Sequence, residues 1–475
     1  MIEREENVPN KEEMLSWIMA MCDKGYRRPG TAASHKVENF LENRLRSFGF
    51  EDVRRQEIEF DMWEPEYWRF IYEIDGKNHG CPCYYTCYTS FTEPEGISGN
   101  LIYLGKGSEK DFDEKDLKGK IVVIDLEFLL LQYQALSLVS PYIHNPNNVR
   151  LEDHNIPDMS RGINWAAYHR ATKQGAIGFI GILSNYPIDS PILYYPAEGI
   201  NDFPRPIPGI FLSKSEGKKL TELIKQEKHL IKGKIILTGK RSKGKTSNIF
   251  GILPGKTEEL IEIGSHHDAA FHGAVQDASG VSIILAMAKY FSRIPKDKRN
   301  RGLLVLFSTG HFYGSIGGYE FIKENRKLVS RIVTSIHTEH IGLEPIIKDG
   351  NVITTSLPQI RALFVSDIPE FRESAKKMLI DHNLELTGIM PIATEVVSKE
   401  GSESKYTQEV SLWTDATPFF EENIPVFSFI GGPFYNWHPE DMIDKVAVNQ
   451  LEPVANGFID IVKKVDNIPK ENLKI

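Results

Sequence analysis

The chain has 475 residues, 41% of them hydrophobic and 25% charged, enough to bury a large core in two or three domains. Lys and Arg total 56 against 65 Asp and Glu, a formal charge of −9, which argues against the basic surplus of a nucleic-acid binder. No apolar run reaches membrane-spanning length, the polar start MIEREENVPNKEE has no secretory-signal pattern, and four cysteines make no disulfide framework in so long a chain. The expectation is a reduced, cytoplasmic protein with no nucleic-acid or membrane partner.

In chain order, residues 11–21 and 33–48 read as amphipathic helices. In the second, Val37, Phe40, Leu41 and Leu45 share a face and Gly49 supplies the stop. Residues 53–60 read as a strand, and after Trp63-Glu64-Pro65 short strands and turns are expected. Cys81, Cys83 and Cys87 cluster as CPCYYTC, a soft-metal pattern weakened by the remoteness of Cys22. Between 99 and 239, strand-like runs at 119–124, 175–180 and 207–212 alternate with helices at 165–172 and 213–224. That pattern resembles the protease-associated domain, here interrupted by a longer segment, 127–161. The basic run KRSKGK (240–245) reads as a solvated connector.

Further on, runs at 249–253, 260–264, 303–307, 331–336 and 426–430 read as strands with helices between them. This predicts an α/β fold: a mostly parallel central sheet with helices on both faces. The opening helices have no sheet of their own and are expected to pack on it. The predicted domains are therefore 1–61 with 246–475, and an insertion at 62–245.

The stretch 264–280, GSHHDAAFHGAVQDASG, places three histidines and two aspartates between a strand and a helix. Three other strand ends carry His311, then His337-Thr338-Glu339-His340, and Trp437-His438. Carboxyl ends of parallel strands share one edge, so these residues can converge there, and imidazole with carboxylate suits a zinc-like dication. The blander alternative is a polar surface loop with incidental histidines.

These residues resemble the zinc-dependent aminopeptidase family that includes glutamate carboxypeptidase. Gly264-Ser265-His266-His267-Asp268, Ala278-Ser279-Gly280, Thr414-Asp415-Ala416-Thr417-Pro418-Phe419 and Pro439-Glu440-Asp441 carry the likeness, and 24–31 matches the family's opening. The resemblance implies His266 as a metal ligand, Asp268 as the group that orients it, and Glu339 as a ligand carboxylate. It also exposes departures. Gln276 stands at the bridging-aspartate position with Asp277 one step later. His311 and Phe312 replace the family's consecutive glutamates, and Trp437 sits at the final histidine's position with His438 beside it.

Two dications about 3.5–4 Å apart need carboxylates to offset their repulsion. With three of those carboxylates replaced, a single metal is expected, one zinc-like ion held by His266, Glu339 and Asp277, His438 or His311. His311, where it is not a ligand, acts as base, and Tyr435, Trp437 and Asp415 contribute to substrate binding. The expected function is metal-dependent hydrolysis of a peptide or amide bond in a small substrate. The alternatives are a non-catalytic binding protein on the same scaffold and an acyl transferase of the glutaminyl-cyclase type. The expected partner is a small peptide or amide substrate, with a homo-oligomer left open.

Overall fold

The computed structural model describes residues 8–151, 155–158, 165–195, 204–226, 231–392, 394–397, 407–410, 412 and 414–475. Two helices open the chain. In α1 (Lys11–Cys22) the Asn10 side chain accepts from the Glu13 amide at 2.9 Å; in α2 (Ala32–Ser47) the Thr31 hydroxyl accepts from Ser34 at 3.2 Å. Such caps satisfy amide donors that a first helical turn leaves open. Met14, Trp17 and Ile18 of α1 and Val37, Leu41 and Leu45 of α2 enter the main core, so these helices do pack on the C-terminal sheet.

A long antiparallel ribbon follows. β1 (Asp52–Ile74) pairs with β2 (Lys232–Leu253) from Asp52↔Ile252 to Glu73↔Lys232, with a bulge between Pro65 and Tyr67. Two expectations are corrected here. The strand runs on past Trp63 to Ile74, and only then do the short strands Lys77–Cys81 and Tyr84–Tyr85 follow, because the bulge accommodates a proline that cannot donate to the ladder. The basic run 240–245 is strand rather than connector. Its Lys240, Lys243 and Lys245 lie 3.5, 2.8 and 2.6 Å from Glu64, Asp61 and Glu57 across the ribbon. Opposite charges face each other on a strand too polar to show alternation.

Between the two ribbon strands, Ile97–Tyr103, Ile121–Leu126, Gly178–Leu183 and Gly209–Leu212 pair in parallel in that order, and the first also pairs with β2. The segment that interrupts them has a structural part to play. Tyr142–His144 joins the far edge of the main sheet, antiparallel to Thr387–Pro391. Its residues 152–154 and 159–161 lie outside the described residues.

The main sheet is built from β3 (Leu260–His266), β4 (Gly302–Ser308), β5 (Ile332–Glu339), β6 (Arg361–Val365), β7 (Thr387–Pro391) and β8 (Val426–Gly431). Strands β4, β3, β5 and β8 run parallel in that order. Antiparallel neighbours flank them: β2 beside β4, and β6 beside β8. One face packs on α1, on α3 (Gly280–Ser292) and on α4 (Val448–Val465). The other packs on Phe321, Ile322 and Phe419. The sheet is thus parallel in its middle and mixed at its margins, and every residue of β3, β4 and β5 is buried. The register sets His266 against Ser308 and Glu339 against Ile430, so the carboxyl ends of these strands lie along one edge.

Candidate metal centre

Four side chains meet at that edge. His266, His311, Glu339 and Asp415 each offer one nitrogen or oxygen, and these atoms lie within 4.8 Å of one another. His266 ends β3, His311 follows β4, Glu339 ends β5, and Asp415 precedes the short helix Thr417–Glu421. The His266 and His311 rings are near-parallel at 4.0 Å.

Hydrogen bonds decide which atoms face inward. The His266 Nδ1–H donates to the Asp268 carbonyl at 3.0 Å, which leaves the Nε2 lone pair bare; Nε2 is buried and has no partner. This is how a ligand imidazole is usually held, with its second nitrogen tied by a hydrogen bond. Glu339 Oε1 accepts from the Asp415 amide at 3.1 Å, while Oε2 is buried and unpartnered. His311 Nδ1 lies 2.8 Å from Asp415 Oδ1, and Ser308 donates to Asp415 Oδ2 at 3.3 Å. Asp268 Oδ1 accepts from the His311 amide at 3.3 Å, so Asp268 braces both histidines.

Electrostatics follow from burial and pairing. Burial, aided by the positive charge of His311, holds His266 below the usual imidazole range, so it is neutral and free to ligate. Burial pulls His311 down, but the charge and hydrogen bond of Asp415 outweigh it and raise His311 to about 9. Burial pushes Asp415 up, and the charge and hydrogen bond of His311 more than offset this, so it stays below the carboxylate range. Burial, then the charge of Asp415, lifts Glu339 to about 7. Bringing these groups together leaves two bare donors and a strained proton balance, both of which a dication would relieve. The donor set of two imidazoles and two carboxylates fits a zinc-like ion.

The structure therefore brings His266, His311 and Glu339 together as expected and adds Asp415, which the sequence suggested for substrate contact. Asp277 lies outside the cluster. Its carboxylate accepts from Ser265, from the Gly280 amide at 3.2 Å and from the His340 amide at 2.9 Å, a structural post beneath the site. His438 is also outside it: Nδ1 accepts from the Glu440 amide at 3.2 Å, and burial lowers the ring to about 4. Tyr435 is fully buried and donates to the Leu343 carbonyl at 3.1 Å, as core rather than pocket wall. Trp437 is half-buried against Tyr195 at 5.0 Å. Cys81, Cys83 and Cys87 are free thiols, and no metal-holding group among the described residues includes a cysteine.

Two supports were given no role from the sequence. The buried Arg27 donates to the carbonyls of His267 at 3.1 Å, Gly273 at 2.9 Å and His272, pinning the loop after β3. Asp441 accepts from the Val275 and Gln276 amides at 2.7 and 3.0 Å, and burial lifts it to about 7. The likeness at 24–31 was the available sign of Arg27. From the other side, Tyr88 donates to the Phe312 carbonyl at 2.9 Å, Tyr186 donates to the Phe434 carbonyl at 2.8 Å, and the Tyr194 amide donates to the Trp437 carbonyl at 2.9 Å. The part of the chain between the ribbon strands is thus tied to the backbone at Phe312, Phe434 and Trp437.

Residues 248–462 match the family model Peptidase family M28. This segment is similar to peptidase family M28. The chain is 25% identical over 133 residues to the probable glutamate carboxypeptidase LAMP1 of Arabidopsis thaliana, covering 27% of this chain and 19% of that protein. It is 33% identical over 100 residues to aminopeptidase NAALADL1 of Rattus norvegicus, covering 20% of this chain and 13% of that protein. These matches span less than a fifth of the relatives' own length. In fold, the chain superposes on the zinc aminopeptidase BSAP of Bacillus subtilis with a TM-score of 0.67 at 18% identity, over 99% of this chain and 100% of that one. All four clustered side chains lie inside the M28 segment.

Proposed function

We propose that the chain is a metal-dependent hydrolase of peptide or amide bonds in small substrates, holding one dication through His266 Nε2, Glu339 Oε2 and Asp415. The convergence of those atoms with His311, two of them buried and without any other partner, is the observation that carries this reading. The match of residues 248–462 to peptidase family M28 supports it at the level of reaction class. Residues 62–245 are read as an inserted, protease-associated-like module that covers the site.

A zinc-like ion bound there supplies Lewis acidity toward a carbonyl oxygen and toward a water. The chain's own groups do the rest. Asp268 fixes the His266 tautomer. Asp415 orients His311 by holding its Nδ1 proton, and below about pH 9 the proton on Nε2 is available to the departing amine. Phe312 and Tyr194, with rings 5.7 Å apart, keep bulk water from the imidazole pair. His311 takes the proton-transfer duty because Phe312, beside it, has no group that could.

A second reading rests on the same four atoms. Zinc sites with four protein ligands are usually structural, since catalytic ones keep a position open. In that case the protein binds without turning over. The test is elemental analysis of the wild type and of His266→Ala, followed by assays on amino-acid amides and acylated amino acids. One metal per chain with amide hydrolysis supports the enzyme. One metal without turnover supports the binding protein.

A further inference from the structure

Arg28, in the turn between α1 and α2, joins the loop that follows β3 to the part of the chain between the ribbon strands. On one side its Nε donates to the Ala270 carbonyl at 2.8 Å, two residues beyond Asp268. On the other, Nη1 donates to the Tyr85 hydroxyl at 2.7 Å and Nη2 to the Tyr84 hydroxyl at 3.3 Å. Its guanidinium carbon lies 4.3 Å from the centre of the Tyr194 ring and 5.4 Å from that of Phe271. Both distances are within the range at which a cation is attracted to an aromatic face. Beyond desolvation, the groups that act most on its charge are the phenols of Tyr85, Tyr84 and Tyr194 rather than a carboxylate.

Tyr194 carries this hold toward the metal cluster. Its ring meets Phe312 edge-on at 5.7 Å, and Phe312 stands edge-on to His311 at 5.2 Å and to His266 at 6.1 Å. Tyr88 braces the same contact: its hydroxyl donates to the Phe312 carbonyl at 2.9 Å and lies 3.3 Å from the Tyr194 hydroxyl. Tyr194 and Phe312 are both buried. In a close-packed interior a side chain that loses its support shifts its neighbours, so freeing Tyr194 uncovers the flank of the imidazole pair where Phe312 stands.

We propose that Arg28 is a positioning residue for the metal centre: by holding Tyr194 against Phe312 it sets how readily solutes reach His266 and His311. The proposal rests on the metal-dependent reading of that centre. Arg28 touches none of the four clustered side chains' donors and acts through the two rings. Its contacts point in several directions around one plane, which a guanidinium satisfies and the point charge of a lysine does not.

The test measures access to the imidazoles in the full-length chain by two routes. In metal-free protein, carbethoxylation of His266 by diethyl pyrocarbonate is followed by mass spectrometry. In zinc-loaded protein, the rate of zinc transfer to a chromogenic chelator is followed by absorbance. Arg28→Met, Arg28→Lys and Tyr194→Leu, each shown to be folded by thermal melting, are expected to raise both rates at least tenfold while zinc stoichiometry at saturation stays at the wild-type value. The double variant Arg28→Met with Tyr194→Leu should be no more than about twofold faster than the faster single variant, because both changes break the same link. Wild-type rates in folded Arg28→Met, wild-type rates in Arg28→Lys, or single effects that multiply in the double variant would each overturn the proposal. A wild-type chain that takes up no zinc would sink the metal-dependent reading instead, and the carbethoxylation rates would still decide the role of Arg28.

Discussion

The backbone amide of Asp415 donates to Oε1 of Glu339 at 3.1 Å, which leaves Oε2 of Glu339 as the buried oxygen with no partner. One bond thus ties the loop before Thr417 to the end of β5 and selects the carboxylate oxygen that faces His266. Glu339→Gln keeps an acceptor for that amide but removes the charge. Metal affinity is expected to fall by at least tenfold, with less than about 1 kcal/mol lost from the stability of the metal-free protein. Metal titration and thermal melting of the variant check both.

Asp277 is expected to behave in the opposite way. Its carboxylate accepts from Ser265, Gly280 and His340 in a fully buried setting. Asp277→Ala leaves those donors unsatisfied, at a cost of about 3 kcal/mol or more. Metal stoichiometry at saturation should remain that of the wild type. Loss of the metal in a variant that is still folded would return Asp277 to the ligand set.

The His311–Asp415 pair predicts a pH dependence in the metal-free protein. His311 titrates at about 9 when folded and near 6.5 when unfolded, so the folded state binds the proton more tightly. The stability this contributes is fully present below about pH 6.5 and is lost as pH rises to about 9. The His311 side chain is 21% exposed, so solvent screening keeps the effect to about 2 kcal/mol. Denaturant unfolding between these pH values should show the loss in the wild type and little of it in Asp415→Asn.

Arg27 predicts a loop effect. Arg27→Met removes donors to His267, His272 and Gly273 and leaves three carbonyls in a dry environment. A loss of about 3 kcal/mol is expected, together with faster amide exchange in residues 267–273. Exchange unchanged from wild type would mean that the loop is held by other contacts.

Much of this site was legible because β3, β4 and β5 are buried apolar runs that break into histidine-bearing loops, and parallel strands deliver such loops to one edge. That placed His266, His311 and Glu339. Asp277 lies apart from the cluster for a reason that spacing cannot show: a carboxylate next to a helix start is drawn to the amides of Gly280 and His340. The place of Asp415 in the cluster was not legible, since its approach to Glu339 depends on a loop arriving from 76 residues downstream. The ribbon was misread at 240–245 because a strand with charges on both faces lacks the alternation that reveals strands. Tyr142–His144 could not be placed, because three residues carry no periodicity and their partner strand is remote.

Metal stoichiometry tests the central claim most directly. Elemental analysis of the purified chain should give one dication per protein, and none in His266→Ala or Asp415→Ala under the same conditions. Two dications per chain, or one retained in both variants, would contradict the account.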